Sequence, residues 1–127
     1  MFGPSLPAYG LYVRHVKNLV FANFRFNLVA PDARPAVLLD DCHDVRLTSF
    51  DVATPSNDQP LIRLIQSTNV ALSGYQSVTP VAKFLLVEGK TSSGIKLTGS
   101  DLTGVRSVIT LGQGCEDAAV REWNNLK

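Results

Sequence analysis

The residues best suited to chemistry lie in one short stretch, VLLDDCHDV, which runs from Val37 to Val45. It carries three carboxylates, a thiol and an imidazole, on Asp40, Asp41, Cys42, His43 and Asp44. Such groups bind metal ions or transfer protons. Two carboxylates could also serve a glycoside hydrolase if both face one bond, about 5–10 Å apart. Whether these groups can act together depends on the elements that position them.

An internal repeat organises the chain. LYVRHVKNLVFANFRF (11–26) aligns without a gap with VLLDDCHDVRLTSFDV (37–52), an offset of 37 − 11 = 26. IRLIQSTNVALSGYQS (62–77) follows at an offset of 62 − 37 = 25. A fourth copy, LLVEGKTSSGIKLTGSDL (85–102), fits with about two extra residues before Gly94, and a fifth begins at VITLG (108–112). Repeats of this length are typical of solenoids.

Each copy carries apolar residues at positions i and i+2, which face the same side of a β-strand. The first pairs are Leu11/Val13, Val37/Leu39, Ile62/Leu64, Leu85/Val87 and Val108/Thr110. The second pairs are Leu19/Phe21, Val45/Leu47, Val70/Leu72 and Ile95/Leu97, and an aromatic column holds Phe24, Phe50 and Tyr75. The pattern predicts two inward-facing strands in each copy.

A polar column lies between these pairs, at Asn18, Asp44, Asn69 and Gly94. Asn, Asp and Gly tolerate the left-handed backbone that a sharp corner needs. The sequence therefore predicts an all-β chain, a right-handed parallel β-helix with about four to five coils of about 25 residues. A leucine-rich repeat needs a different leucine spacing, and a β-sandwich does not explain the corner column.

The repeat predicts one domain over residues 1–127, with an N-terminal segment (1–10), repeated coils (11–112) and a C-terminal tail or cap (113–127). In the tail, apolar residues could form one face of a short capping helix, at Ala119, Val120, Trp123 and Leu126. A terminal element that shields the last coil is what solenoids require.

The repeat also assigns the residues of the opening stretch. Asp44 falls in the corner column, where backbone geometry is its role. Cys42 is expected to point inward and His43 outward, so the two should not share a metal ion. Alternation likewise separates Asp40 from Asp41, which argues against a catalytic pair. We therefore predict no catalytic residue and no metal site here.

Stacked coils bring residues of neighbouring copies together, about 4.8 Å apart. Arg14 should lie beside Asp40, and His15 beside Asp41, as ion pairs or as a polar patch able to touch a sugar. A further arginine, Arg34, lies in the loop PDARP, where it could pair with Asp32 or hold a carboxylate. The candidate ligand-contacting residues are Arg14, His15, Arg34 and Asp41.

The composition excludes several classes of protein. Among 127 residues the formal net charge is +1, which argues against nucleic acid as the main partner. Two cysteines are too few for a disulfide scaffold, and no apolar run approaches the roughly 18 residues of a membrane span. The start, MFGPSLPAYG, lacks the features of a signal peptide. No cofactor is predicted.

Three segments resemble one enzyme family: LPAYGLYVRHVKNLVFANFRF, PDARPAVLLDDC and KFLLVEGKTSSGIKLTGSDL. Over about residues 5 to 112 they are similar to the C-terminal coils of glycoside hydrolase family 28, the polygalacturonases and rhamnogalacturonan hydrolases. The resemblance implies a right-handed parallel β-helix of the pectin lyase type, pectic polysaccharide or another carbohydrate as partner, and an exported protein.

The family's catalytic motifs are absent from the chain. They are Asn-Thr-Asp, an Asp-Asp pair after Gly or Gln, Gly-His-Gly, and Arg-x-Lys. Asp40 and Asp41 follow Leu39, and the segment from Gly94 to Lys96 lacks the arginine. No catalytic residue of the family can be transferred.

Three hypotheses follow. The first is a non-catalytic β-helix module related to a pectin-active hydrolase. The second is an assembly protein, a homo-oligomer that pairs through an open end of the solenoid, unless preceding coils cover that end. The third is a small hydrolase with a new site around His15, Asp40, Asp41 and His43.

Overall fold

The computed structural model describes most of the chain. The described residues are 8, 10–26, 34–52, 59–76, 81–112, 114–115, 119–123 and 125. Of the predicted N-terminal segment, only Ala8 and Gly10 are among them, and the division of the chain into one domain stays a prediction.

Among the described residues, ten strands form two parallel five-stranded sheets. The first sheet has the order β1-β3-β5-β7-β9 and the second β10-β8-β6-β4-β2. The strands are β1 (Leu11–Arg14), β2 (Lys17–Phe26), β3 (Val37–Asp40), β4 (His43–Val52), β5 (Ile62–Ile65), β6 (Thr68–Ser73), β7 (Val81–Glu88), β8 (Ile95–Thr98), β9 (Val105–Leu111) and β10 (Val120–Trp123). Because successive strands alternate between the sheets, the chain winds as a parallel β-solenoid of about four turns. The predicted parallel β-helix is confirmed.

Each coil contributes one strand to each sheet, and the apolar columns fill the space between them. Leu19 pairs with Val45 and Val45 with Val70, in the register that the repeat predicts. The inward residues of the second to fourth coils are almost all buried, including Leu39, Leu64 and Leu97 at 0 % exposure. Stacking like on like buries each apolar side chain against its counterparts above and below.

An aromatic stack runs through the core where the second sheet ends. The rings of Phe24 and Phe50 are parallel with centroids 5.2 Å apart, and Tyr75 lies 5.4 Å beyond Phe50. Phe84 closes the stack 4.7 Å from Tyr75. The predicted aromatic column is thus a continuous ring stack, in the offset and tilted geometries that such rings prefer.

Within the described ranges, three corners turn the coil, each with a column of left-handed residues. The second corner is the predicted one, with φ of 63° at Asn18, 58° at Asp44, 54° at Asn69 and 67° at Gly94. The first corner, before the second sheet, is formed by His15, Asp41, Gln66 and Gly89, and the third, within it, by Asn23, Ser49, Gly74 and Gly99. The first and third corners were not predicted.

The start of the fifth coil was predicted one residue too early. Leu85 pairs with Ile109 and Val87 with Leu111, not with Val108 and Thr110. The shift places two large apolar side chains over the core, where Thr110 would have left a hydroxyl.

The predicted capping helix is wrong. Val120 to Trp123 form β10, which pairs in parallel with β8 in a register of 120 − 95 = 25 residues. The apolar spacing that predicted a helix covers only about two turns, and the free edge of β8 supplies hydrogen-bond partners for an extended chain. Leu126 lies outside the described residues. None of the described residues belongs to a helix that could span a membrane.

Candidate functional site

Arg14 and Asp40 lie at the carboxyl ends of β1 and β3. The two are paired in the sheet register, and Arg14 Nε lies 3.4 Å from Asp40 Oδ2. The predicted cross-coil ion pair is therefore present. The Arg14 side chain is 53 % exposed, so solvent screens the pair and it contributes at most about 1 kcal/mol.

Asp41 is the centre of a hydrogen-bonded chain at the first corner. His15 Nδ1 lies 2.7 Å from Asp41 Oδ2, and His43 Nε2 lies 2.8 Å from Asp41 Oδ1. His43 Nδ1 lies 2.6 Å from the Thr68 hydroxyl, which it accepts from in the tautomer whose Nε2–H donates to the carboxylate. The chain His15–Asp41–His43–Thr68 thus links three successive coils.

The electrostatics of this cluster oppose acid catalysis. Hydrogen bonds from His15 and His43 lower the pKa of the Asp41 carboxyl. A general acid of a glycoside hydrolase needs the reverse, a carboxyl whose pKa is raised. Asp40, the other member of the pair, is already engaged by Arg14. The arrangement favours a structural tie over proton transfer.

Cys42 and His43 face opposite sides, as strand alternation predicts. Cys42 is fully buried, and burial raises the pKa of its thiol, whereas the His43 side chain is 36 % exposed. No group of three His, Cys, Asp or Glu residues in the described ranges could hold a metal ion. The thiol is a small inward group in a column with Ser67.

Arg34 is separated from the rest of the predicted contact set. It precedes β3, whereas Asp40 and Asp41 lie at the other end of that four-residue strand. At about 3.3 Å per residue, the strand alone separates Arg34 from the two aspartates by roughly 13 Å. Asp32, the predicted partner of Arg34, lies outside the described residues. The structure therefore pairs His15 with Asp41 and Arg14 with the neighbouring Asp40, and it keeps Arg34 apart from them.

The second corner continues as a polar ladder. Asn69 Nδ2 donates to Asp44 Oδ1 at 2.6 Å, linking two coils on the outer surface. Asn18, Asp44 and Asn69 also form one wall of a shallow groove of about 540 Å³ on the outer face of the second sheet. The corner column thus borders a surface concavity as well as turning the chain.

Two outward rows run along this face, parallel to the solenoid axis. The cation row is Val20, Arg46, Ala71, Lys96 and Arg121. The hydroxyl row beside it is Ala22, Thr48, Ser73, Thr98 and Trp123. Neither row was predicted from the sequence. The repeat contained the signal, because each row lies one residue beyond an apolar column.

Comparison with known proteins adds no relative: the chain matches no protein-family model, no curated protein and no solved structure. The resemblance to glycoside hydrolase family 28 therefore stays a prediction from sequence.

Proposed function

We propose that the chain is a non-catalytic β-helix module that binds polysaccharide along the outer face of its second sheet. Acidic chains of the pectic type are the class that fits best. One observation carries the proposal: the cation row and the hydroxyl row run side by side, over a groove, in the direction in which coils repeat.

The cation row supplies charge without partners of its own. Arg46 and Lys96 are exposed, and among the described residues neither forms an ion pair. They lie two coils apart, about 10 Å, with the small side chain of Ala71 between them. Carboxylates spaced along a linear polymer could engage both cations, in charge-assisted hydrogen bonds.

The hydroxyl row supplies the groups that recognise neutral sugar surface. Thr48, Ser73 and Thr98 are half-buried, and their hydroxyls can donate to or accept from sugar hydroxyls. Trp123, at the end of the row, is 47 % exposed and offers an aromatic face to the apolar side of a sugar ring. Single-stranded nucleic acid stacks on a series of aromatic residues, whereas these two rows contain a single aromatic residue, Trp123.

The corner cluster extends this surface and argues against hydrolysis. His43 lies between the first and second corners, so the patch of His15 and Asp41 adjoins the groove wall at Asp44. In that position Arg14, His15 and Asp41 can contact a bound chain. The lowered pKa of Asp41 supports binding without proton donation.

Binding is measured best by titration calorimetry with polygalacturonate oligomers. We expect affinity that falls with added salt, that weakens for methyl-esterified oligomers, and that is weakest for neutral galactan. Lys96→Glu should weaken binding by about tenfold or more, because it replaces an attraction with a repulsion. Lys83→Glu is the matched control, since Lys83 is an exposed residue of β7 in the other sheet and should bind as the wild type does. Equal affinity of both variants and the wild type would refute binding at the groove.

Hydrolysis is tested separately, by release of reducing ends from homogalacturonan and rhamnogalacturonan. We expect none. Release that disappears in Asp41→Ala would instead establish the alternative, a small hydrolase with a site around His15, Asp40 and Asp41.

A further inference from the structure

The first coil presents apolar surface that the next coil buries. Leu19 and Phe21 are only partly buried, whereas Val45 and Leu47, one position along the same columns, are 1 % and 0 % exposed. Val20, on the outer side of β2, is 68 % exposed. Among the described strands β2 is also the edge of its sheet, and an apolar edge strand is a template for pairing with another chain.

The opposite edge of the same sheet carries a charge at the corresponding place. The inward column that begins at Phe21 continues through Leu47, Leu72 and Leu97 and ends at Glu122. A charged residue in an inward position of an edge strand is a device that blocks further pairing. A coil stacked on β10 would bury the Glu122 carboxylate, which is costly. The inward positions of the first coil hold no charge: Leu11, Val13, Val16, Leu19 and Phe21.

We propose that two copies of the chain associate through their first coils, with their β2 strands antiparallel about a twofold axis at Val20. In this register Val20 faces Val20 of the second copy, and Leu19 faces Phe21 of that copy. Such an interface is isologous, so it closes as a dimer and does not propagate as a filament. The left-handed residues Asn18 and Asn23 bend the strand and limit the pairing to the flat segment between them.

A head-to-tail arrangement is the competing geometry. It would stack β10 of one copy on β2 of the next and place Glu122 against Phe21. The pairing through two first coils leaves Glu122 at the solvated far end of each copy. The proposal is independent of polysaccharide binding, because the outer face of the second sheet stays open in the dimer.

Molar mass in solution tests the association, by size-exclusion chromatography with light scattering over a range of concentrations. We expect a dimer of the full chain. Phe21→Glu places glutamate in the first coil, the residue type that blocks pairing at the other end. Val20→Lys places two like charges opposite each other across the interface. Both variants should therefore be monomeric. Ala71→Lys is the matched control, with the same new charge in the same row two coils away, and should remain dimeric. Because Val20 is exposed in a single copy, Val20→Lys should still fold and unfold in one cooperative thermal transition, at a lower temperature than the dimeric wild type.

The register has its own test. Val20→Cys in a Cys115→Ser background should form a disulfide-linked dimer on mild oxidation, since opposed residues of antiparallel strands have Cβ atoms about 5 Å apart. Cys42 is buried and should not interfere. Arg46→Cys in that background should stay uncross-linked. Glu122→Leu should join dimers into longer assemblies. A monomeric wild type, or a dimer that only Glu122→Leu abolishes, would overturn the proposal.

Discussion

His15 Nδ1 lies 2.7 Å from Asp41 Oδ2, although the two residues are 41 − 15 = 26 positions apart in the chain. Asp41 also accepts from His43, and the two hydrogen bonds lower the pKa of its carboxyl. As the pH falls, the unfolded chain therefore takes up this proton before the folded chain does. The stability that Asp41 contributes is complete above its ordinary pKa of 3.8 and is lost as the pH falls through the lower folded value.

Asp41→Asn should flatten this acid dependence. Asn keeps the side-chain shape and tolerates the left-handed backbone of the corner, φ 55°, so the change removes mainly the charge. We expect the free energy of unfolding to fall less steeply between about pH 5 and pH 2 than in the wild type. Urea denaturation over that range measures it. Asp44→Asn is the control, at a left-handed corner without an imidazole partner, and an identical flattening there would contradict the assignment.

Ser67→Ala should cost stability inside the solenoid. The Ser67 hydroxyl accepts from the buried backbone N–H of Cys42 at 3.2 Å and donates to the Ile65 carbonyl at 3.0 Å. Alanine leaves that N–H without a partner in the core, at a cost of about 1–3 kcal/mol. Ser73→Ala, on the outer face, should stay within about 0.5 kcal/mol of the wild type. Equal unfolding midpoints in urea for the two variants would show that the inner hydroxyl is dispensable.

Two glycines of the third corner separate backbone strain from steric contact. Gly74 and Gly99 have φ of 74° and 60°, so alanine at either should cost about 1–2 kcal/mol. A Cβ at Gly74 would also lie 2.9 Å from the Ser49 backbone nitrogen, whereas one at Gly99 meets nothing within 4 Å. Gly74→Ala should therefore destabilise the chain by about 1–3 kcal/mol more than Gly99→Ala. Chemical denaturation of both variants measures this difference in the free energy of unfolding. A difference near zero would mean that the coils can move apart to make room for the added Cβ.

The interior of the coils was predictable because burial constrains it. Val45 and Val70 have to face the core at every turn, so their columns are visible as apolar pairs at a constant offset. The start of the fifth coil was predicted one residue too early because the sequence there offers two adjacent apolar residues, Val108 and Ile109. Spacing alone does not choose between them. The tail was misassigned because its apolar spacing suits about two helical turns, while the edge of β8 with which it pairs is a tertiary feature.

The corners were predictable only where residue type and spacing agree. Asn23, Ser49 and Gly74 recur at 49 − 23 = 26 and 74 − 49 = 25, so the third corner was open to detection. At the first corner Gln66 breaks the pattern, because His15 and Asp41 tolerate a left-handed backbone and glutamine does not favour one. The pairing of Asp41 with both histidines likewise depends on how the coils stack, since one partner is two residues away and the other a full coil away.

The constant register has a consequence for how such a chain can change in length. Val45, Val70 and Ile95 follow one another at intervals of 70 − 45 = 25 and 95 − 70 = 25 residues, and the described strands pair only with those of adjacent coils. Tandem duplication of one coil would repeat existing contacts and lengthen each sheet by about 4.8 Å. The outer face would gain one position in every row, so the proposed binding surface would span more polymer units in a longer chain. Insertions of other lengths would have to be absorbed in the loops, outside the stacked columns.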